Sequence, residues 1–113
     1  MATWDEVVAT AKELPGVEES TSYKTPSLKA GGKVLARLRT EAEGGLALVC
    51  AMEEKEALLA SGDPAFFTTS HYDGYGYILV DLDKVDGAQL RELIEEAWRI
   101  KAPAKLRKEF DAR

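Results

Sequence analysis

The first apolar positions, Trp4, Val7, Val8, Ala11 and Leu14, recur three and four residues apart, the period of one helical face. Thr3 and Glu6 form a capping box before them, and Pro15-Gly16 interrupts the pattern, so the spacing predicts an opening helix ending near Leu14. From Glu19 the period changes. Residues 20–24 are rich in Ser, Thr and Tyr, which suit strands, and Pro26 predicts a sheet edge or a break. Residues 27–30 and 33–39 flank Gly31-Gly32, the signature of a hairpin whose two central residues take positive φ. In the second arm, strict alternation places Val34, Ala36 and Leu38 on an apolar face and Lys33, Leu35, Arg37 and Arg39 on the other. A loop at 41–45 then leads to the unbroken apolar run 46–50, read as a buried strand of an antiparallel meander.

Helical signals return at 52–61, where Glu53, Glu54 and Glu56 suit the positive end of a helix, Leu58 and Leu59 point inward, and Gly62 is the stop. Residues 63–76 are irregular and dense in aromatics, and 77–82 reads as a strand. Asp86 and Gln89 open a further helix to about Ile100, with Leu90, Leu93, Ile94, Ala97 and Trp98 on its inner face. Pro103 fits the first position of a last short helix, in which Leu106 and Phe110 pack inward. The order predicts an α+β fold: a single small domain spanning 1–113, with a mainly antiparallel sheet and helices packed on one side.

Composition narrows the class. Among 113 residues, 45% are apolar and 31% charged, which excludes intrinsic disorder, collagen-like repeats and a disulfide scaffold. No apolar run approaches the roughly 20 residues of a membrane span, and the opening residues lack the basic segment of a signal peptide. With a single cysteine, Cys50, these features point to the cytoplasm and away from the membrane. The net charge of −5 weighs against a dedicated nucleic-acid binder, but it is unevenly spread. Residues 99–113 carry Arg99, Lys101, Lys105, Arg107, Lys108 and Arg113 against only Glu109 and Asp111. Such a segment either attracts an acidic protein partner or complements its own helix dipole.

Candidate chemistry is sparse. One His and one Cys cannot build a structural zinc site, and Asp81, Asp83 and Asp86 lack the remaining signature of a calcium loop; they read as a strand end and a helix cap. Ser70 and His71 are adjacent but surround no nucleophile elbow, and Cys50 sits in an apolar run. Gly31-Gly32-Lys33 lacks the upstream Gly and the following Ser or Thr of a phosphate loop. The sequence assigns no catalytic residue, metal or cofactor, and favours a binding protein over an enzyme. Two candidate sites remain. In the segment 66–77, His71, Tyr72, Asp73 and Tyr75 could line a small-molecule or catalytic site around His71, or Phe66, Phe67 and Tyr77 could simply close the core around an Asp73-Gly74 turn. In the hairpin region, Lys24, Lys29, Lys33, Arg37 and Arg39 beside Tyr23 could contact phosphates and stack on a base. Alternatively they guard a solvated edge strand, with Glu18, Glu19, Glu41 and Glu43 blunting their field.

The strings LPGVEESTSYKTPSLKAGGKVLARL, EEKEALLASG and DPAFFTTSHYDGYGYILVDLD, with LRELIEEAWRIKAPAKLRKEF at the end, resemble the MmcQ/YjbR family of small bacterial proteins. The resemblance runs from about residue 3 to 110. Its most telling parts are Leu14-Pro15-Gly16 to Glu19, the Gly32-Lys33 turn, and His71-Tyr72 to Gly74. It implies an α/β fold of double-wing type and DNA as the partner. Many relatives carry a Trp near the start of the last strand, where this chain has Tyr75-Gly76-Tyr77.

Overall fold

The structure, a computed structural model, describes residues 2–22 and 24–113. Helix α1 (Trp4–Ala11) begins where the capping pattern puts it: the Thr3 hydroxyl accepts from the Glu6 amide at 3.2 Å. Six strands follow in one sheet: β1 (Val17–Ser22), β2 (Thr25–Ala30), β3 (Lys33–Leu38), β4 (Leu46–Val49), β5 (Phe66–Phe67) and β6 (Tyr77–Val80). They lie in the order β1-β2-β3-β4-β6-β5, and every neighbouring pair is antiparallel. Helix α2 (Met52–Ala60) joins β4 to β5, and α3 (Gly87–Lys101) and α4 (Ala104–Asp111) close the chain. The fold is therefore α+β, as expected.

Several boundaries moved for identifiable reasons. The first strand starts at Val17 rather than Ser20, because Val17 and Glu18 pair with Ala30 and Lys29. Pro26 neither ends a strand nor marks the edge. It sits in β2 opposite Thr21, beyond the last β2–β3 pair, Ser27 with Arg37, where its missing N–H interrupts no pairing to β3. The sheet edges are β1 and β5, so the basic arm β3 is interior and needs no guarding. Phe66–Phe67, within the expected irregular stretch, forms the short edge strand β5 by pairing with Val80 and Leu79. Leu58 is buried, whereas Leu59 is exposed. Pro103 caps α4 from outside, one residue before its predicted place.

The face assignment of β3 also changed. Gly31 and Gly32 take φ of +59° and +81°, as a two-residue hairpin turn requires. Between the turn and the middle of the hairpin, however, the register slips: Leu28 faces Ala36, while Lys29 faces Val34. The extra residue, Leu35, is a β-bulge. Leu35 and Ala36 are therefore both fully buried in the main core, and Val34 joins Arg37 on the opposite face. Strict alternation had assigned Val34 and Leu35 the other way round.

One face of the sheet carries the main core. Leu28, Leu48, Ile78 and Val80 meet Leu90, Ile94 and Trp98 of α3 and Val7 and Ala11 of α1, all of them buried. The Trp98 indole donates to the Pro15 carbonyl at 2.9 Å and packs edge-on against Phe110 of α4, fixing the chain where α1 turns into β1. The opposite face has only a small second cluster, Ala47, Leu79 and Tyr72. No helix among the described residues is long and apolar enough to cross a membrane.

Candidate functional site: a groove on the open sheet face

The second face is where the two candidate segments meet. Arg37 lies between Ser27 of β2 and Ala47 of β4 in register, so its side chain projects from the open face. Its guanidinium donates to the Tyr72 hydroxyl at 2.7 Å and to the Thr25 hydroxyl at 3.2 Å. Tyr72 comes from the irregular segment before β6. Its ring covers Ala47 and Leu79 and meets Tyr77 and His71 edge-on, with centroids 5.7 and 5.0 Å away. Between hairpin and loop runs a groove of about 640 Å³ lined by Arg37, His71, Tyr72, Tyr75 and Tyr77, with Ser22, Val34, Thr40, Glu43 and Ala47 completing it.

A side chain from a different element holds the loop in place. Lys55 of α2 is only 2% exposed, and its Nζ donates to the carbonyls of Tyr72 and Tyr75 at 2.7 and 2.8 Å. Burial of a lysine is sustained when its donors find acceptors, and these two carbonyls are the turn that presents Tyr72 and Tyr75 to the groove. Arg39 is the other internal brace. It is 8% exposed, lies 5.9 Å from the ring centres of both Phe67 and Tyr72, and donates to the Gly44 carbonyl at 3.0 Å. Its Nε is buried without a partner. At the rim, Glu43 accepts hydrogen bonds from the Thr40 hydroxyl and amide, and these, with Arg39 and Arg37 nearby, hold its carboxyl below the usual range. The rim thus carries a fixed negative charge a short way from the Arg37 cation.

The remaining candidates are spread out. Lys24 is exposed in the turn just before β2 with φ of +67°, Lys29 is half-buried opposite Glu18, and Lys33 is exposed beside the glycine turn. Tyr23 lies outside the described residues. His71 is exposed and Tyr75 is 64% exposed, both on the groove, while Asp73 is exposed at the turn and does not line it. Among the described residues no cluster of three metal-ligating side chains occurs. Sequence reasoning passed over Lys55, although its spacing of three from Leu58 puts it on the buried side of α2. It also passed over Thr40, whose T-x-x-E spacing to Glu43 is the same capping signal used at Thr3.

Together these features define a small α+β protein whose sheet is covered by helices on one face and, on the other, presents a groove walled by tyrosines around one arginine. The chain belongs to the YjbR family: the family model described as YjbR matches residues 12–100. It is 34% identical over 124 aligned positions to the uncharacterized proteins Rv2570 of Mycobacterium tuberculosis and Mb2600 of Mycobacterium bovis, covering 97% of this chain and 96% of each relative. The crystal structure of Deinococcus radiodurans protein DR2400, a DUF419 domain, superposes with a TM-score of 0.77 at 23% identity, covering 96% of this chain and 88% of that one. That likeness establishes the fold.

Proposed function

We propose that the protein is a non-catalytic binding domain and that the open-face groove receives a DNA strand with unpaired bases. The observation that carries this reading is the Arg37–Tyr72 contact, which joins the basic hairpin and the aromatic loop into one surface. Arg37 is the central phosphate contact, Lys29, opposite Val34, extends the track along the hairpin, and Lys24 marks its other end, whereas Lys33, opposite the core residue Ala30, belongs to the helical face. Tyr75 and His71 offer exposed rings for stacking, the combination used for single strands. Arg39 and Tyr72, both buried, hold these groups rather than reach the ligand. The groove is concave, which suits a splayed base better than the convex surface that enters a duplex groove.

A fluorescent single-stranded oligonucleotide, titrated at about 50 and 200 mM salt with a duplex in parallel, tests this reading. Salt-sensitive binding of the single strand, weakened by Lys24→Glu with Lys29→Glu and by Tyr75→Ala, is the expected result. Absence of binding at the lower salt refutes it. A second reading is favoured by Glu43 on the rim and Glu18 opposite Lys29, which interrupt the positive track: the groove takes a small planar anion instead of a polymer. Binding of such a ligand depends on Arg37 and Tyr75 and is unaffected by Lys24→Glu.

A further inference from the structure

The helical side of the molecule carries a second groove, of about 890 Å³, between the start of α2, the end of α1 and the outer face of α3. Its floor is apolar: Val49, Cys50, Leu93, Phe110 and Ile100, the last 46% exposed. Its walls are acidic. Glu53 and Glu54 stand on α2, and Glu92 and Glu96 on α3, with no ion pair for any of the four among the described residues. The neighbouring Glu13 and Glu95 are already paired with Arg91 and Arg99.

Helix formation accounts for only half of this charge. Glu53 and Glu54 suit the first turn of α2. Glu92 and Glu96 have no such reason: they are like charges four residues apart on one helix face, and Glu96 lies in the half of α3 nearer its negative end. The two walls converge on one point. Burial, and after it Glu54 from one wall with Glu96 from the other, push the Cys50 thiol on the floor up to about 11, Lys55 alone opposing. Carboxylates of one sign on both sides of an apolar floor complement a ligand with an apolar ridge flanked by cations.

We propose that this groove is a docking site for a basic amphipathic helical segment of a partner protein, its apolar ridge resting on the exposed Ile100 and half-buried Phe110 and its lysines or arginines meeting Glu53, Glu54, Glu92 and Glu96. The open-face groove takes no part in this inference.

The probe is a labelled synthetic peptide of about 18 residues with leucines at helical spacing and lysines elsewhere, long enough to fold on contact. A glutamate-for-lysine version serves as the control. Titrated against the full chain by fluorescence anisotropy at about 50 mM salt, the basic peptide binds and the acidic one does not. Glu92→Lys with Glu96→Lys weakens binding by about tenfold or more, Ile100→Ser, which removes apolar area without changing the charge, weakens it too, and Glu18→Lys on the opposite face leaves it unchanged. Circular dichroism confirms folding of each variant, and Glu53→Lys with Glu54→Lys repeats the test on the other wall. Failure to bind at low salt, or binding that survives both charge reversals, overturns the proposal. Sedimentation runs alongside: salt-sensitive self-association abolished by Glu92→Lys with Glu96→Lys would assign the groove to a second copy of the chain and likewise overturn it.

Discussion

Replacing Lys55 with Met keeps the aliphatic stem inside the protein and removes the group that holds the Tyr72–Tyr75 turn. Two hydrogen bonds of 2.7 and 2.8 Å are lost together. Charge-assisted bonds contribute about 1.5–3 kcal/mol each, but taking an ammonium out of water costs several kcal/mol, so most of their sum cancels against the desolvation that Met avoids. What does not cancel is the second lone pair of the Tyr72 carbonyl, in a residue 8% exposed; that carbonyl keeps the Tyr75 amide at 3.0 Å, so losing the ammonium costs about 1 kcal/mol there. The Tyr75 carbonyl likewise keeps the Tyr77 amide at 2.8 Å, and the two losses together come to roughly 1–2 kcal/mol if the loop stays in place. If that exceeds the loop's own stability, the loop opens instead and the global loss is smaller. The two cases separate by combining urea unfolding with amide exchange. Either the midpoint falls by the full amount, or residues 68–76 lose protection while the sheet keeps its own. An unchanged midpoint together with unchanged exchange in 68–76 would refute the reasoning, showing that Tyr72 packing and the Arg37 bond hold the loop unaided. Lys55→Arg, whose planar fork cannot place one nitrogen between the two carbonyls in the same way, should be intermediate.

Two other perturbations test the helical side and the core. Gly16 takes φ of +71°, and a Cβ there would run into the Leu106 side chain of α4; Gly62, at +79°, has open space around it. Gly62→Ala should therefore cost only the left-handed strain, about 1–2 kcal/mol, and Gly16→Ala that plus the displacement of Leu106, about 2–4 kcal/mol, measured as urea midpoints. Equal losses would show that α4 yields freely at Leu106. The Cys50 thiol, raised from 9.0 to about 11 chiefly by burial, binds its proton more tightly in the folded state. Its contribution is complete below pH 9 and is lost as pH rises to about 11, a difference of about 2–3 kcal/mol that Cys50→Ala lacks. Parallel pH slopes for the two proteins between pH 8 and 11 would contradict that burial.

The sequence by itself determined the local structure. The capping patterns at Thr3 and Asp86, the apolar stripe of α3, the glycine pair at 31–32 and the buried run of β4 each depend on residues within one or two turns of each other, and they led directly to an antiparallel sheet with helices on one face. Both halves of the candidate site were legible as compositions, one basic and one aromatic. That they form one groove was not, because the Arg37–Tyr72 contact spans 35 residues and exists only once β6 has paired with β4. The bulge at Leu35 escaped for a related reason: alternation describes a strand alone, whereas a bulge is a mismatch in length between two strands. Lys55 likewise reads as one more charge on a polar helix until the loop that it holds is folded against it. Hydrophobic period and capping are fixed by neighbours in the chain. Burial of a charge is decided by the partners that distant segments bring to it, and so only the tertiary structure could supply it.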